Sequence, residues 1–193
     1  EYFSRNILGV SSYVYAAILL VWNVWDAIND PLVGTFMDIR FAKSKDKSNK
    51  FRPWILRSIP IMAIGMGSLF FLPTLFDGML CIVVLFVSKI VFELGYTIMN
   101  IGMGSLLGVM ATNDAERASL SSARGVGSMI GNMIPGLAGP IVVGMFGDRE
   151  TIGYTIAGVS CAVIGFVVCF LHYYFTEERT TVGEETKADD IKF

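Results

Sequence analysis

Histidine occurs once in the 193 residues, at His172, and cysteine three times, each within an apolar run. Cys81, Cys161 and Cys169 have neither ligand nor disulfide spacing, so they read as small buried hydrophobes and say nothing about redox compartment. There is no H-E-x-x-H segment and no nucleophile with a base, which argues against an intramembrane enzyme. Net charge is −2 and the basic residues do not interleave with aromatics, so nothing points to nucleic acid. The chain has no initiator Met and no charged segment before a short apolar core and cleavage site, so no signal peptide is read. It closes on polar Asp189-Asp190-Ile191-Lys192-Phe193, and a piece of a longer protein is expected.

What the chain has instead is 53% hydrophobic residues and a mean hydropathy of +0.58, with charge confined to the gaps between long apolar runs. That balance is a membrane protein's. Five candidate spans fall at roughly 8–38, 54–72, 79–110, 125–146 and 152–175, each near or above the length that crosses a bilayer. Open sheets cannot satisfy their backbone in lipid and no run alternates like a barrel strand, so the expected fold is all-α, a multi-pass helical bundle. The loop after the first span carries Arg40, Lys43, Lys45, Lys47, Lys50 and Arg52 against Asp46, whereas the loop at 73–78 has no basic residue. The first is expected inside and the second outside. Parity then puts 111–122 inside, 147–151 outside and the tail from Thr176 inside. The tail, charged and poor in aromatics, reads as a solvated linker. His172-Tyr173-Tyr174-Phe175 reads as an interfacial aromatic belt.

Within the first run stand Asp26 and Asp30, one turn apart on one face. An ionised Asp at the centre of a spanning helix costs roughly 2.5–3.5 kcal/mol on insertion scales, so such residues face a bundle interior or wet cavity with a partner. Two like charges at this spacing also repel, and a shared cation or a proton on one relieves both penalties. The third span repeats the theme: Glu93, Thr97, Asn100 and Gly104 share a face, with Lys89 one turn before Glu93. By helical rise Glu93 is level with Asp26, and Asn100 is nearer the depth of Asp30. If the two faces meet, they form one polar chamber at mid-membrane. The fourth span is expected to begin at Arg124. It carries Gly127-xxx-Gly131, the close-approach spacing of membrane helices, and Pro135 and Pro140, which should bend or loosen it.

The segment Trp25-Asp26-Ala27-Ile28-Asn29-Asp30-Pro31-Leu32-Val33-Gly34, followed by Lys50-Phe51-Arg52-Pro53-Trp54-Ile55-Leu56, resembles the melibiose carrier family, the glycoside-pentoside-hexuronide:cation symporters of the major facilitator type. Gly95-Tyr96-Thr97-Ile98-Met99-Asn100 and Glu116-Arg117 with Arg124 extend the resemblance over nearly the whole chain. It implies that 1–175 is the N-terminal bundle without its first helix, equivalent to the second to sixth helices of the carrier, and that 176–193 begins the cytoplasmic central loop. It places a sodium, lithium or proton site on Asp26, Asp30 and Thr97, joined by Asn29, and sugar contact on Arg124. Two departures point away from melibiose itself: Asn100 stands where the melibiose carrier has a shared Asp, and Gly104 where it has a Trp. Glu93 is the expected replacement for the lost carboxylate, with Lys89 as its partner when the cation is absent, and Asn100 is assigned with Arg124 to the substrate.

The expected protein is therefore a secondary transporter, not an enzyme, that couples sodium or proton entry to symport of a sugar or glycoside across the cell membrane (bacterial inner or plasma membrane). It needs no cofactor beyond the coupling ion, and its partners are the sugar, the cation, membrane lipid and the carrier's C-terminal half. A related carrier for an amphiphilic lipid or an acidic or sulfonated sugar is the alternative. A passive structural bundle would leave Asp26 and Asp30 unexplained.

Overall fold

The computed structural model describes residues 2–43 and 49–179. Lys45, Asp46 and Lys47 of the basic loop, Glu1 and the tail from 180 onward lie outside the described residues. Five long helices follow one another: α1 (Ser12–Ala42), α2 (Arg52–Phe71), α3 (Gly78–Met110), α4 (Asp114–Gly144) and α5 (Glu150–Phe175), and among the described residues there is no strand. A wide helical turn, Phe3–Ile7, precedes α1, and the chain breaks between them at Gly9, whose φ of 67° suits only a residue without Cβ.

Four of the helices are long and apolar enough to cross a membrane, spanning Arg52–Leu75, Gly78–Met110, Asp114–Gly144 and Glu150–Phe175. The protein is a multi-pass membrane protein with an all-α bundle. The first expected span differs in kind. At 31 residues α1 exceeds the bilayer's thickness, but Asn23, Asp26, Asn29 and Asp30 dilute its apolar centre, so its case rests on length and not on apolarity.

α3 is the central element. Its buried positions, among them Cys81, Leu85, Ser88, Gly95, Met99, Gly102, Leu106 and Val109, fall at alternating steps of three and four and form one stripe. Against it lies α2 in antiparallel register. Gly65 faces the backbone of Phe92, Gly95 faces Met62, and Gly102 faces Ile55, each step up one helix matching a step down the other. A Cβ at Gly95 would stand 2.6 Å from the Met62 nitrogen, so glycine is what permits the contact. α5 covers the outer side of α2, with Phe70 seated on Gly158 and the Thr155 hydroxyl donating to the Phe70 carbonyl at 3.2 Å. Val33 and Met37 of α1 join Ile55, Ile59 and Leu106 in the main apolar cluster.

Two expectations need correction at α4. The segment 111–122 is not a loop, because the helix begins at Asp114. The Asn113 side chain accepts the Glu116 N–H at 2.8 Å, and the Glu116 carboxylate accepts the N–H and hydroxyl of Thr112, both at 2.8 Å, a reciprocal cap that starts the helix early. Arg124 is therefore about 15 Å inside α4 and not at its mouth. Secondly, the close approach expected at Gly127 and Gly131 is not made: no described residue comes within 4 Å of a Cβ built on either. The helix is assigned without a break through Pro135 and Pro140.

The start of the tail is docked. Glu178 accepts the N–H groups of Lys50, Phe51 and Arg52 at 2.9, 2.7 and 3.0 Å, capping α2, and Arg179 donates its N–H to the Val109 carbonyl at 3.1 Å. Residues 176–179 thus differ from the solvated linker expected there, because three N–H groups at and just before the start of α2 and a carbonyl in the last turn of α3 bind them.

The glycine seam yields a first test. Gly65→Ala or Gly95→Ala should each destabilise the bundle by about 1–3 kcal/mol, read as a lowered melting temperature in detergent, because the helices must part. Gly165→Ala, with nothing within 4 Å, should leave it unchanged. Two seam variants as stable as the parent would refute this register.

Candidate functional site

α1 and α3 run parallel, and two side-chain pairs, both 67 residues apart, fix their register. At one level the Lys89 ammonium lies 3.9 Å from the centroid of the Trp22 ring. At the other, Thr97 meets Asn29 and Asp30. The Asn29 amide donates to the Thr97 hydroxyl at 3.0 Å, and that hydroxyl donates to an Asp30 carboxylate oxygen at 3.1 Å. Asn29 and Thr97 are buried, and Asp30 projects from the same helix turn toward open space. The same register sets Asp26 level with Glu93. Asp26, half-buried, has no hydrogen-bond or ion-pair partner among the described residues. Pro31 adds a further oxygen, since it has no N–H for the Ala27 carbonyl one turn back.

Glu93 is held elsewhere on the stripe. Its carboxylate accepts from Lys89 at 2.8 Å, with side-chain exposures of 14% and 29%, so this pair is shielded enough to outweigh a surface ion pair. The structure brings Asn29, Asp30 and Thr97 into contact and leaves Glu93 bound to Lys89 on the neighbouring turn. Among the described residues no three His, Cys, Asp or Glu side chains converge. A cation here would meet carboxylate, amide, hydroxyl and carbonyl oxygens, a hard donor set.

One turn further along α3, Asn100 accepts from the Arg124 guanidinium at 2.9 Å. Both side chains are exposed on the same side of the bundle. Gly104 explains how an Arg on α4 reaches α3: a Cβ there would stand 3.3 Å from Arg124 Nη1, so the guanidinium occupies the space a side chain would take. The reading of Arg124 as a helix-mouth residue missed this, although Asn100 and Gly104 one turn apart were a signal that something fills the gap.

The sequence profile of a family described as "MFS/sugar transport protein" matches residues 1–192. The chain belongs to that family. Among curated relatives, it is 29% identical to the uncharacterized symporter YjmB of Bacillus subtilis (strain 168), over 97% of this chain and 40% of that protein. It is 30% identical to a putative sulfoquinovose importer of Escherichia coli (strain K12), over 92% and 37%, and 28% identical to the isoprimeverose transporter of Lactiplantibacillus pentosus, over 99% and 40%. The chain thus spans about two fifths of the length of these relatives. Every residue of the polar chamber lies within the span that this MFS/sugar transport family shares.

Thr97 is the common partner of two α1 side chains, so its loss strands both. Thr97→Val should destabilise the protein by about 1–3 kcal/mol, the cost of leaving the buried Asn29 amide unpaired. Asn29→Leu combined with Thr97→Val should recover part of that loss in a double-mutant cycle on melting temperature. Strictly additive losses would mean that the two side chains are not coupled.

Proposed function

We propose that the protein is a secondary transporter that carries a sugar or glycoside together with sodium or a proton across the cell membrane. The observation that carries this reading is the Asn29–Thr97–Asp30 chain at mid-helix, one turn from Asp26 on α1 and one turn from Asn100 on α3. Without a cation, Asp26 and Asp30 repel one another in a medium where charge is poorly solvated. Cation or proton binding removes the repulsion and draws α1 toward Thr97. Because Thr97 and Asn100 share α3, the same movement sets Asn100 and Arg124 for sugar hydroxyls. Each ligand then favours the conformation that the other prefers, which is coupling through differential affinity. Rocking of this bundle against a second, C-terminal half would deliver the pair to the far side.

Glu93 enters as the carboxylate standing in for the one absent at Asn100. In this reading Lys89 releases it when the cation arrives, and Lys89 remains over Trp22. A carrier of an acidic or sulfonated sugar is the second reading, favoured by the exposed guanidinium of Arg124 and by the relative named as a putative sulfoquinovose importer. Competition of labelled substrate by a sulfonated sugar separates the two.

The deciding experiment is uptake of a labelled sugar panel in proteoliposomes holding the protein at its natural length, with sodium and pH gradients imposed separately. Asp30→Asn should abolish gradient-driven accumulation while sparing exchange down a sugar gradient. Accumulation that survives in this variant would remove Asp30 from the coupling site, and accumulation unchanged in Glu93→Gln would remove Glu93.

A further inference from the structure

At the end of the bundle that carries the basic loop, a cavity of about 470 Å³ lies between the close of α1 and the start of α2. Arg40, Lys43, Lys50, Arg52 and Arg57 all line it, and among the described residues of its wall there is no carboxylate. Two carboxylates among the described residues stand close by. Asp38 pairs with Lys50 at 2.9 Å, and Glu178 is directed at the first N–H groups of α2. The side chain of Arg52 donates from Nη2 to the Tyr173 carbonyl at 3.1 Å, yet its Nε is buried without a partner. Five cations with no carboxylate among the described residues of the wall make the cavity a place for an anionic group.

The second observation concerns what adjoins the cavity. Trp54 is a wall of the cationic cavity and also a wall of a groove of about 300 Å³, whose other sides are Leu32, Val33, Phe36, Leu94 and Ile98. The Phe36 ring meets Trp54 edge-on at 5.6 Å, and the Arg57 guanidinium lies 5.5 Å from the Trp54 centroid. One indole thus separates a strongly cationic chamber from a wholly apolar one. Leu32 is about 15 Å from the end of α1 by helical rise, so the groove runs from the membrane boundary into the hydrocarbon. A free phosphate would fit the cavity and leave the groove without purpose. An amphiphile with an anionic head and a hydrocarbon tail matches both, and a basic pocket between helices at the membrane boundary is where acidic headgroups bind.

We propose that the cavity and groove together form a binding site for an acidic phospholipid of the surrounding bilayer, its phosphodiester among Arg40, Arg52 and Arg57 and one acyl chain beside Trp54. The site is separate from the polar chamber and does not depend on which substrate the protein carries.

The test uses the protein at its natural length in mild detergent, titrated with dioleoyl phosphatidylglycerol and followed by native mass spectrometry. The parent should retain the lipid in preference to phosphatidylcholine. Arg40→Gln with Arg57→Gln should weaken retention by about fivefold for each charge removed, roughly 25-fold together. Glycerol 3-phosphate, which has the head and no tail, should not compete at equal concentration. Equal competition would mean that the cavity takes a free phosphate, and equal retention of the two lipids would mean that the cations do not select; either overturns the proposal. Should the double variant not fold, phosphatidylglycerol with brominated acyl chains supplies the second readout. In a variant whose other tryptophans are all replaced by Phe it should quench the fluorescence of Trp54; Trp54 fluorescence left unquenched would place the tail elsewhere and overturn the proposal.

Discussion

The hydroxyl of Thr97 is where α1 is tied to the rest of the bundle. It accepts from Asn29 and donates to Asp30, both on one turn of α1. No glycine of α1 lets its backbone close on a neighbour; Gly34 has nothing within 4 Å of a Cβ position. The Lys89 ammonium over Trp22, the ring contacts Trp22–Phe86 and Phe36–Trp54, the Asp38–Lys50 ion pair and the apolar cluster around Val33 and Met37 hold α1 as well. Hydrogen bonds are stronger at this depth than in water, and so is the penalty for leaving one unmade. The position of α1 thus depends in part on a hydroxyl whose acceptor is a carboxylate, that of Asp30.

The seam between α2 and α3 has the opposite character. Gly65 and Gly95 bring two backbones together, and Ile55, Ile59 and Leu106 are almost fully enclosed beside them. Dense apolar packing of this kind has one arrangement and resists small displacement. α4 resembles α1 in part: its apolar side chains from Val126 to Ile141 are mostly exposed, and it reaches α3 through the Arg124–Asn100 bond and through Arg117, which donates to the Gly108 carbonyl at 3.4 Å. Its far end packs on α5, where Gly153 lies against Val143. The bundle therefore combines a close-packed pair with two helices that also meet α3 through polar contacts, and the candidate site consists of those polar contacts.

Periodicity and hydropathy made the helices legible, because long apolar runs have few alternatives in lipid. The start of α4 was harder to see, since Asp114 to Ser122 is polar enough to look like a loop. The signal was there in Asn113 followed three residues later by Glu116, a cap that holds helix whatever the polarity beyond it. Glycine spacing pointed to the wrong helix. Gly127 and Gly131 form a recognisable pair with nothing against them, whereas Gly65 and Gly95 work singly, each opposite a backbone on another helix. Such contacts depend on register between helices, which no single stretch of sequence contains. The same holds for Glu178 and Arg179, whose partners lie more than a hundred and about sixty residues away. Asp26, Asp30, Glu93, Thr97 and Asn100 were legible as site candidates because polar groups in apolar runs are costly wherever they sit, whereas Asn29 entered only through the family resemblance and Arg124 as a cation at an expected helix mouth.

That α3 carries both Thr97 and Asn100 bears on how coupling could work in the proposed cycle. The two residues are one turn apart, yet they look in different directions, one to α1 and the other through Arg124 to α4. In the proposed cycle a cation at Asp30 would act on α1 and a sugar at Arg124 would act on α4, so the two ligands would not have to touch in order to influence each other. Each biases the distance of a loosely held helix from the same rigid one. Reciprocity then follows from thermodynamics, since whatever the cation adds to sugar affinity the sugar adds to cation affinity. Asn100 suits this arrangement better than a carboxylate would. A carboxylate at that position would pair with Arg124 by charge, whereas the amide oxygen holds the guanidinium by one neutral-acceptor hydrogen bond, which in the proposed cycle would leave its charge for a substrate.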